Sequence, residues 1–205
     1  MTTEIKVTEE YLFPSLVWFA DIDGAAAMND ALFEHISKIR QSLKSTKRSN
    51  EMGWHSPTDL HKDEAFSEIC ACIEGMSGTI AGSMNMRSDR RLAIESFWVN
   101  INPKFAYNAL HDHPQSTLSG VYYVRANEQS GSLRFRDPWA AKRMCPWPVG
   151  PDGKRDQRHW DRVNYKPLPG RLIMFPSWLE HDVEPNLSDE ERISISFNME
   201  VRNGD

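Results

Sequence analysis

His111 and His113 flank Asp112 in the stretch LHDHPQSTLSGVYYV, residues 110–124, at the mouth of a valine- and tyrosine-rich segment. In extended backbone, side chains i and i+2 share a face and i+1 points away. His111 and His113 therefore project together, and Asp112 projects opposite. Two imidazoles on one face are two-thirds of a facial metal site, and imidazole suits iron, zinc, copper or nickel. The best third ligand is His181, in FPSWLEHDVEPN directly after the apolar RLIMF. Two roles are open to Asp112. It is an outer partner that orients an imidazole N–H, or it is the ligand in place of His113 if the chain bulges there. His35, His55, His61 and His159 lack such spacing and read as surface or hydrogen-bonded histidines. Eleven residues beyond His181, Arg192 begins the last strand-like segment, with Ser194 on its face. A guanidinium fork beside a hydroxyl suits a carboxylate, gripped by charge-assisted, bidentate hydrogen bonds. The alternative is an arginine facing solvent from an edge strand.

Strands must position these groups, and the second half of the chain has their pattern. RLAIESFWVNIN (91–102) alternates Phe97, Val99 and Ile101 against Trp98, Asn100 and Asn102. TLSGVYYV (117–124) is rich in strand formers, and GSLRFRD (131–137) sets Leu133 and Phe135 against Arg134 and Arg136. RLIMFP (171–176) is apolar and follows the turn signal LPG. ERISISFNMEV (191–201) sets Ile193, Ile195 and Phe197 against Arg192, Ser194, Ser196 and Asn198. Such strands, punctuated by Gly and Pro, predict a mainly β barrel or jelly roll. Ahead of them, YLFPSLVWFADI (11–22) predicts an opening edge strand interrupted by Pro14. Residues 24–46 follow a helical period through Met28, Leu32, Ile36, Ile39 and Leu43, with Asp23 as N-cap. Residues 47–60 read as a loop broken by Gly53 and Pro57. Residues 59–80 predict a second helix, capped by Asp59, with Phe66, Ile69, Ile73, Met76 and Ile80 as its buried stripe. Both helices are expected to pack as supports on a sheet.

The expected organisation is a single domain over 1–205. Residues 1–90 supply a strand and the supporting helices, and 91–205 the β core with a loop insertion at 138–166. From Arg134 to Lys166 that region holds nine Lys or Arg against four Asp, with Trp139, Trp147 and Trp160 interleaved. A long, basic, aromatic connection reads as a lid over a pocket mouth, as a contact for an acidic substrate or unpaired nucleic-acid strand, or as a solvated loop.

Composition limits the partners. The chain is 40% hydrophobic and 26% charged, ordinary globular values, and its net charge of −5 exerts no global pull on nucleic acid or anionic membrane. No apolar run approaches the roughly 18 residues of a spanning helix. MTTEIKVTEEYLF lacks the basic region and apolar stretch of a secretory signal. Cys70, Cys72 and Cys145 form no disulfide framework and read as reduced thiols of a cytoplasmic protein. An edge strand and spare helices leave room for a homodimer.

The order H-x-[D/H], a Y-Y strand, G-x-L-x-F, P-G-x-L-x-x-F, a distal His and R-x-S resembles the iron(II)- and 2-oxoglutarate-dependent oxygenases. The similarity is closest to a little-characterised bacterial and phage-associated group, through SNEMGWHS, WVNIN, HDHP, LSGVYYV, FPSWLEHDVEPN and SDEERISISFN. It spans roughly residues 49–200, apart from the loop at 138–166. The resemblance implies a double-stranded β-helix, a cupin-like jelly roll, with the N-terminal helices packed on one sheet. It implies a dioxygenase that hydroxylates a small-molecule or side-chain substrate with O₂. Fe(II) would lie between His111, His113 and His181. The co-substrate 2-oxoglutarate would chelate it and reach Arg192, Ser194 and Tyr123 with its far carboxylate, with Ser119 and Val121 on the inward face of Tyr123. Asn102, or Asn100, would reach the co-substrate as well. Trp98 and Trp178 would either wall the site or sit in the core, the plainer reading of each. One departure stands out: His113 occupies the place of the wider superfamily's carboxylate ligand. Two other readings are a cupin-type three-histidine metalloprotein acting without 2-oxoglutarate, and a non-enzymatic binding module. Against the first, Pro114, Gln115, Ser116 and Thr117 follow His113, where a cupin would place a glutamate.

Overall fold

The computed structural model describes residues 5–139 and 159–204, together with Met144, Pro148, Gly153 and Asp156. Its strands form two antiparallel sheets. At the centre of the larger sheet, β4 (Arg90–Asn102) and β11 (Arg192–Asn203) pair along nearly their whole length, from Arg192 opposite Asn102 to Asn203 opposite Arg90. β6 (Leu118–Arg125) lies on the other side of β11, followed by β9 (Arg171–Pro176) and the edge strand β1 (Trp18–Asp21). The short β3 (Trp54–His55) closes the opposite edge beside β4. The smaller sheet runs β2 (Asn50–Glu51), β5 (Tyr107–His111), β10 (His181–Val183), β7 (Leu133–Arg136) and β8 (Arg162–Tyr165).

The strict alternation of β4 and β11 gives the larger sheet two different faces. Phe97, Val99, Ile101, Ile193, Ile195 and Phe197 turn outward and are buried under two helices, α1 (Ala25–Ser42) and α2 (Ser67–Ser83). Met28, Leu32 and Ile36 of α1 and Ile69, Ile73 and Ile80 of α2 complete this core, and Phe66 meets Phe97 edge-on at 5.3 Å. Each such side chain contributes about 1.5–3 kcal/mol by leaving water. The inner face carries Trp98, Asn100, Arg192, Ser194 and Tyr123, and faces the smaller sheet. A second apolar cluster of Val121, Tyr123, Ile173 and Phe175 against Leu133, Phe135 and Leu179 joins the two sheets. Between them the chain keeps polar residues where a core would otherwise continue.

Several elements differ from the sequence reading. α1 starts after Gly24, whose φ of +70° fits glycine, and Asp23 makes no cap. The second helix begins at Ser67; residues 60–66 form two 3-10 turns, where Asp63 accepts from the Ala65 amide at 3.0 Å. The loop at 47–60 contains β2 and β3, and the insertion at 138–166 contains β8. Cys145, Trp147 and most of that insertion lie outside the described residues. Cys70 and Cys72 are free thiols, pushed up in pKa by burial. Among the described residues, no helix is long and apolar enough to cross a membrane.

Gly120 marks the closest approach in the larger sheet. A Cβ there would lie 2.7 Å from the Ile173 carbonyl oxygen and nearer still to the Phe197 ring. Gly120→Ala is expected to destabilise the fold by about 2 kcal/mol through overpacking. Gly75→Ala, in α2 with nothing within 4 Å of the added carbon, should stabilise it by about 0.5–1 kcal/mol. Chemical denaturation of the two variants checks both signs.

Candidate functional site

Strand pairing brings the three histidines together. His181 opens β10 directly opposite His111, the last residue of β5. Directly opposed residues of an antiparallel pair have Cβ atoms about 4.5–5.5 Å apart, so these two imidazoles are neighbours by register. His113 lies two residues past the end of β5, where its amide donates to the Ser177 carbonyl at 2.9 Å. That bond ties the H-x-H segment to the turn between β9 and β10. On the far side of β10, Arg134 of β7 forms a fork on Asp182, at 2.6 and 3.0 Å, and reaches Glu184 at 3.1 Å. Ring centroids are 4.4 Å apart for His111 and His181, 5.0 Å for His111 and His113, and 5.2 Å for His113 and His181. Each ring offers a nitrogen, and the three nitrogens lie within 4.8 Å of one another. Asp112 is exposed and is not part of this cluster.

Backbone acceptors fix two of the tautomers. His111 Nδ1 lies 2.6 Å from the Ala109 carbonyl and His181 Nδ1 2.9 Å from that of Leu179. A carbonyl only accepts, so each Nδ1 carries the hydrogen, and each Nε2 keeps its lone pair. Burial disfavours the charged rings. It lowers the pKa of His113 to about 4 and of His181 to about 3, with His111 adding repulsion in each case, and it lowers that of His111 itself. Three neutral imidazoles converging in a half-buried place are the state in which histidine binds metal.

Beside the histidines opens a cleft of about 510 Å³ between the sheets, also lined by Tyr123, Arg192, Ser194, Asn100 and Asn108. Arg192 is 1% exposed and has no carboxylate partner among the described residues. Its Nη1 donates to the carbonyls of Ser130, Gly131 (3.4 Å) and Glu184 (3.1 Å). The Gly131 backbone, at φ +78°, runs so close to the segment after β10 that a Cβ would meet the Glu184 and Pro185 carbonyl oxygens. A side chain there would therefore spread this carbonyl cradle. Nη2 has no hydrogen-bond partner. Burial pulls the guanidinium down to about 10, and the Tyr123 hydroxyl, itself pushed up by burial to about 12, lies near it. A buried guanidinium with an open nitrogen, lining the same cleft as three metal-type ligands, is suited to an anion bound in that cleft.

Other predicted residues are distributed unevenly. Asn102 sits opposite Arg192 in register, and its amide is buried without partners next to Gly53, outside the cleft lining. Asn100 does line the cleft, and its Oδ1 has no partner. Ser119 donates to Asn198 at 2.8 Å and meets Ser177 at 2.8 Å, in a polar chain under the H-x-H segment. Trp98 is buried and walls the cleft, whereas Trp178 is 54% exposed, which corrects the expectation of a core position. The sequence reading missed Ser49 and Asn108. Ser49 Oγ lies 3.4 Å from His111 Nε2, and both residues line the cleft. The SNEMGWHS string pointed to that segment without assigning it a place.

With the geometry in hand, comparisons with known proteins are specific. A family model described as "Putative 2OG-Fe(II) oxygenase" matches residues 96–198. No protein of curated function matches the sequence. Among solved structures, a prolyl-4-hydroxylase of Pseudomonas putida superposes with a TM-score of 0.64 at 16% identity, covering 93% of this chain and 94% of that one. The epimerase SnoN from nogalamycin biosynthesis, solved with Fe3+, alpha ketoglutarate and nogalamycin RO, gives 0.67 at 12% identity, covering 93% and 82%. HygX from Streptomyces hygroscopicus, with nickel, 2-oxoglutarate and hygromycin B, gives 0.61 at 8%, covering 91% and 83%. At such identities the likeness shows a shared fold.

Removing one ligand from a three-ligand site should abolish stoichiometric metal. His111→Ala and His181→Ala are each expected to retain less than about a tenth of the Fe(II) held by wild type, and Asp112→Ala to retain all of it. Metal analysis after anaerobic loading and desalting measures this. Full metal in both histidine variants would rule out the ligand set.

Proposed function

The chain belongs to the 2OG-Fe(II) oxygenase family, and we propose that it hydroxylates an organic substrate at a centre formed by His111, His113 and His181. Fe(II) and 2-oxoglutarate are the family's metal and co-substrate. The residues present suit both. Three neutral imidazoles are an acceptable donor set for Fe(II), and the buried, uncompensated Arg192 suits one end of a dicarboxylate. When bound, the pair supplies the oxidising chemistry: 2-oxoglutarate and O₂ become succinate and CO₂, with the second oxygen atom delivered to the substrate.

The protein's part is binding, orientation and exclusion of water. His111 and His181 present Nε2 because backbone carbonyls hold their Nδ1 hydrogens. His113 completes the set from the chain beyond β5. Arg192, with its Nη1 cradled by three carbonyls, directs Nη2 at the far carboxylate of 2-oxoglutarate, with Ser194 and Tyr123 as further hydrogen-bond donors. Asn100 suits a polar contact with the co-substrate better than Asn102, because it lines the cleft. Trp98, Phe175 and Leu133 are the cleft's dry walls. His113 in place of a carboxylate would leave the metal with one more net positive charge, which the chelating carboxylate of 2-oxoglutarate would offset in part.

The observation that carries this reading is the unpartnered Nη2 of a buried arginine in the same cleft as three convergent histidines. Wild-type protein given Fe(II), ascorbate, 2-oxoglutarate and O₂ is expected to form succinate even without substrate. Arg192→Ala should need about 100-fold more 2-oxoglutarate for half-maximal rate, since breaking a buried charge pair costs about 3 kcal/mol or more. No succinate from wild type, with 2-oxoglutarate affinity unchanged in Arg192→Ala, would contradict it.

A further inference from the structure

A second cleft, of about 1010 Å³, shares His111, His113, Trp98 and Ser49 with the first. It therefore reaches the same histidines by another approach. Its charged residues are Arg48 and Asp112, and both are exposed. Most described arginines are paired: Arg40 with Glu191, Arg134 with Asp182, Arg171 with Asp21. Among the described residues, neither Arg48 nor Asp112 has an ion-pair partner or a hydrogen bond through its side chain, and no ion pair joins the two. One cleft thus holds a cation and an anion that no described residue pairs, and it shares the candidate metal ligands.

The floor adds a directed group. His55 is 3% exposed and stacks on Trp98, with centroids 5.6 Å apart and planes at 12°. Its Nδ1 donates to the Ser56 carbonyl at 2.6 Å, so Nε2 is a lone-pair acceptor. Nε2 has no partner among the described residues, and the ring lines the cleft. A buried acceptor held in one tautomer by backbone, with its free nitrogen toward open space, is suited to an N–H or O–H of a bound molecule.

We propose that this second cleft is the substrate site and takes a free α-amino acid or a zwitterion of similar size, its carboxylate on Arg48 and its ammonium on Asp112. The inference rests on the oxygenase reading of the histidine cluster and adds a substrate class to it. A plain anion would be attracted by Arg48 but repelled by Asp112, and a plain cation the reverse. A zwitterion satisfies both, and charge-assisted hydrogen bonds at two ends fix its orientation. Its side chain then lies over Trp98 toward His111 and His113, with His55 Nε2 as acceptor for one of its polar hydrogens.

Binding, not turnover, tests this. Fe(II)-loaded protein, kept free of oxygen, is screened by saturation-transfer NMR against the twenty free L-amino acids, and hits are titrated by calorimetry. At least one is expected to bind. Its carboxamide and its N-acetyl form should each bind about tenfold more weakly or worse, as befits loss of a hydrogen bond to a charged group. Arg48→Gln should erase the difference between acid and carboxamide, and Asp112→Asn that between free and acetylated amine; circular dichroism checks that both variants fold. Absence of any bound amino acid, equal binding of the blocked forms, or tighter binding of succinate or a phosphate monoester would overturn the proposal. In parallel, 2-oxoglutarate is titrated into the same sample. If 2-oxoglutarate binds and none of the amino acids does, the substrate class alone is defeated; if an amino acid binds and 2-oxoglutarate does not, the oxygenase reading is defeated and the zwitterion cleft stands.

Discussion

A guanidinium that is 1% exposed, with no carboxylate partner among the described residues, is the constraint around which this protein is organised. Leaving a charge buried and unpaired costs several kcal/mol. Arg192 meets part of that cost with three backbone carbonyls on Nη1 and leaves Nη2 open; its lowered pKa reflects the burial that is not offset. The carbonyls come from the turn before β7 and from Glu184 just past β10. The approach of those two segments depends on the positive φ of Gly131. The same segments adjoin β7 and β10, which pair from Leu133 opposite Val183 to Phe135 opposite His181. The arginine's setting and the position of one candidate metal ligand are therefore built from one piece of backbone.

The larger sheet gives that cleft its polar lining at little cost to stability. β11 from Arg192 to Asn198 and β4 from Ser96 to Asn102 alternate without interruption, so every residue there that turns away from the helices turns toward the smaller sheet. The outward set, Phe97 to Ile101 and Ile193 to Phe197, buries enough apolar surface to hold the sheet. The inward set is then free to be Asn100, Ser194, Ser196 and Arg192. These stay ordered through cross-strand bonds such as Asn100 to Ser196 at 3.1 Å and Asn198 to Ser96 at 3.1 Å. Stability is on one face of the sheet and chemistry on the other.

The long strands were legible because alternation over many residues is a strong signal. The two sides of β4 and β11 are those read from RLAIESFWVNIN and ERISISFNMEV. The strands that carry the histidines were less legible. β10 has three residues and β2 and β3 have two each, too few for a period; pairing with longer neighbours makes them strands. His113 shares a direction with His111 although it lies beyond the end of β5, so the i, i+2 argument pointed to the right neighbour by a route the backbone does not follow. Asp59 and Asp63 are equivalent as cap residues in sequence; in the fold Asp63 caps a 3-10 turn, and the helix starts after Phe66, whose ring meets Phe97. Trp98 and Trp178 are likewise the same residue type, yet one faces the cleft from a central strand and the other stands on an exposed turn. Whether Arg192 faced solvent or cleft could not be read from alternation, because alternation does not tell a central strand from an edge strand, and β11 is central, between β6 and β4.

The central claim is that Arg192 awaits an anion at the far end of the molecule that the histidine centre chelates. Calorimetric titration of the protein loaded with Zn(II), which undergoes no redox chemistry, with 2-oxoglutarate and with 2-oxopentanoate tests it most directly. The two ligands share the chelating end, and only the first has the far carboxylate. One-to-one binding of 2-oxoglutarate, at least about 100-fold tighter than that of 2-oxopentanoate, is the predicted result. Equal affinity for the two would contradict it.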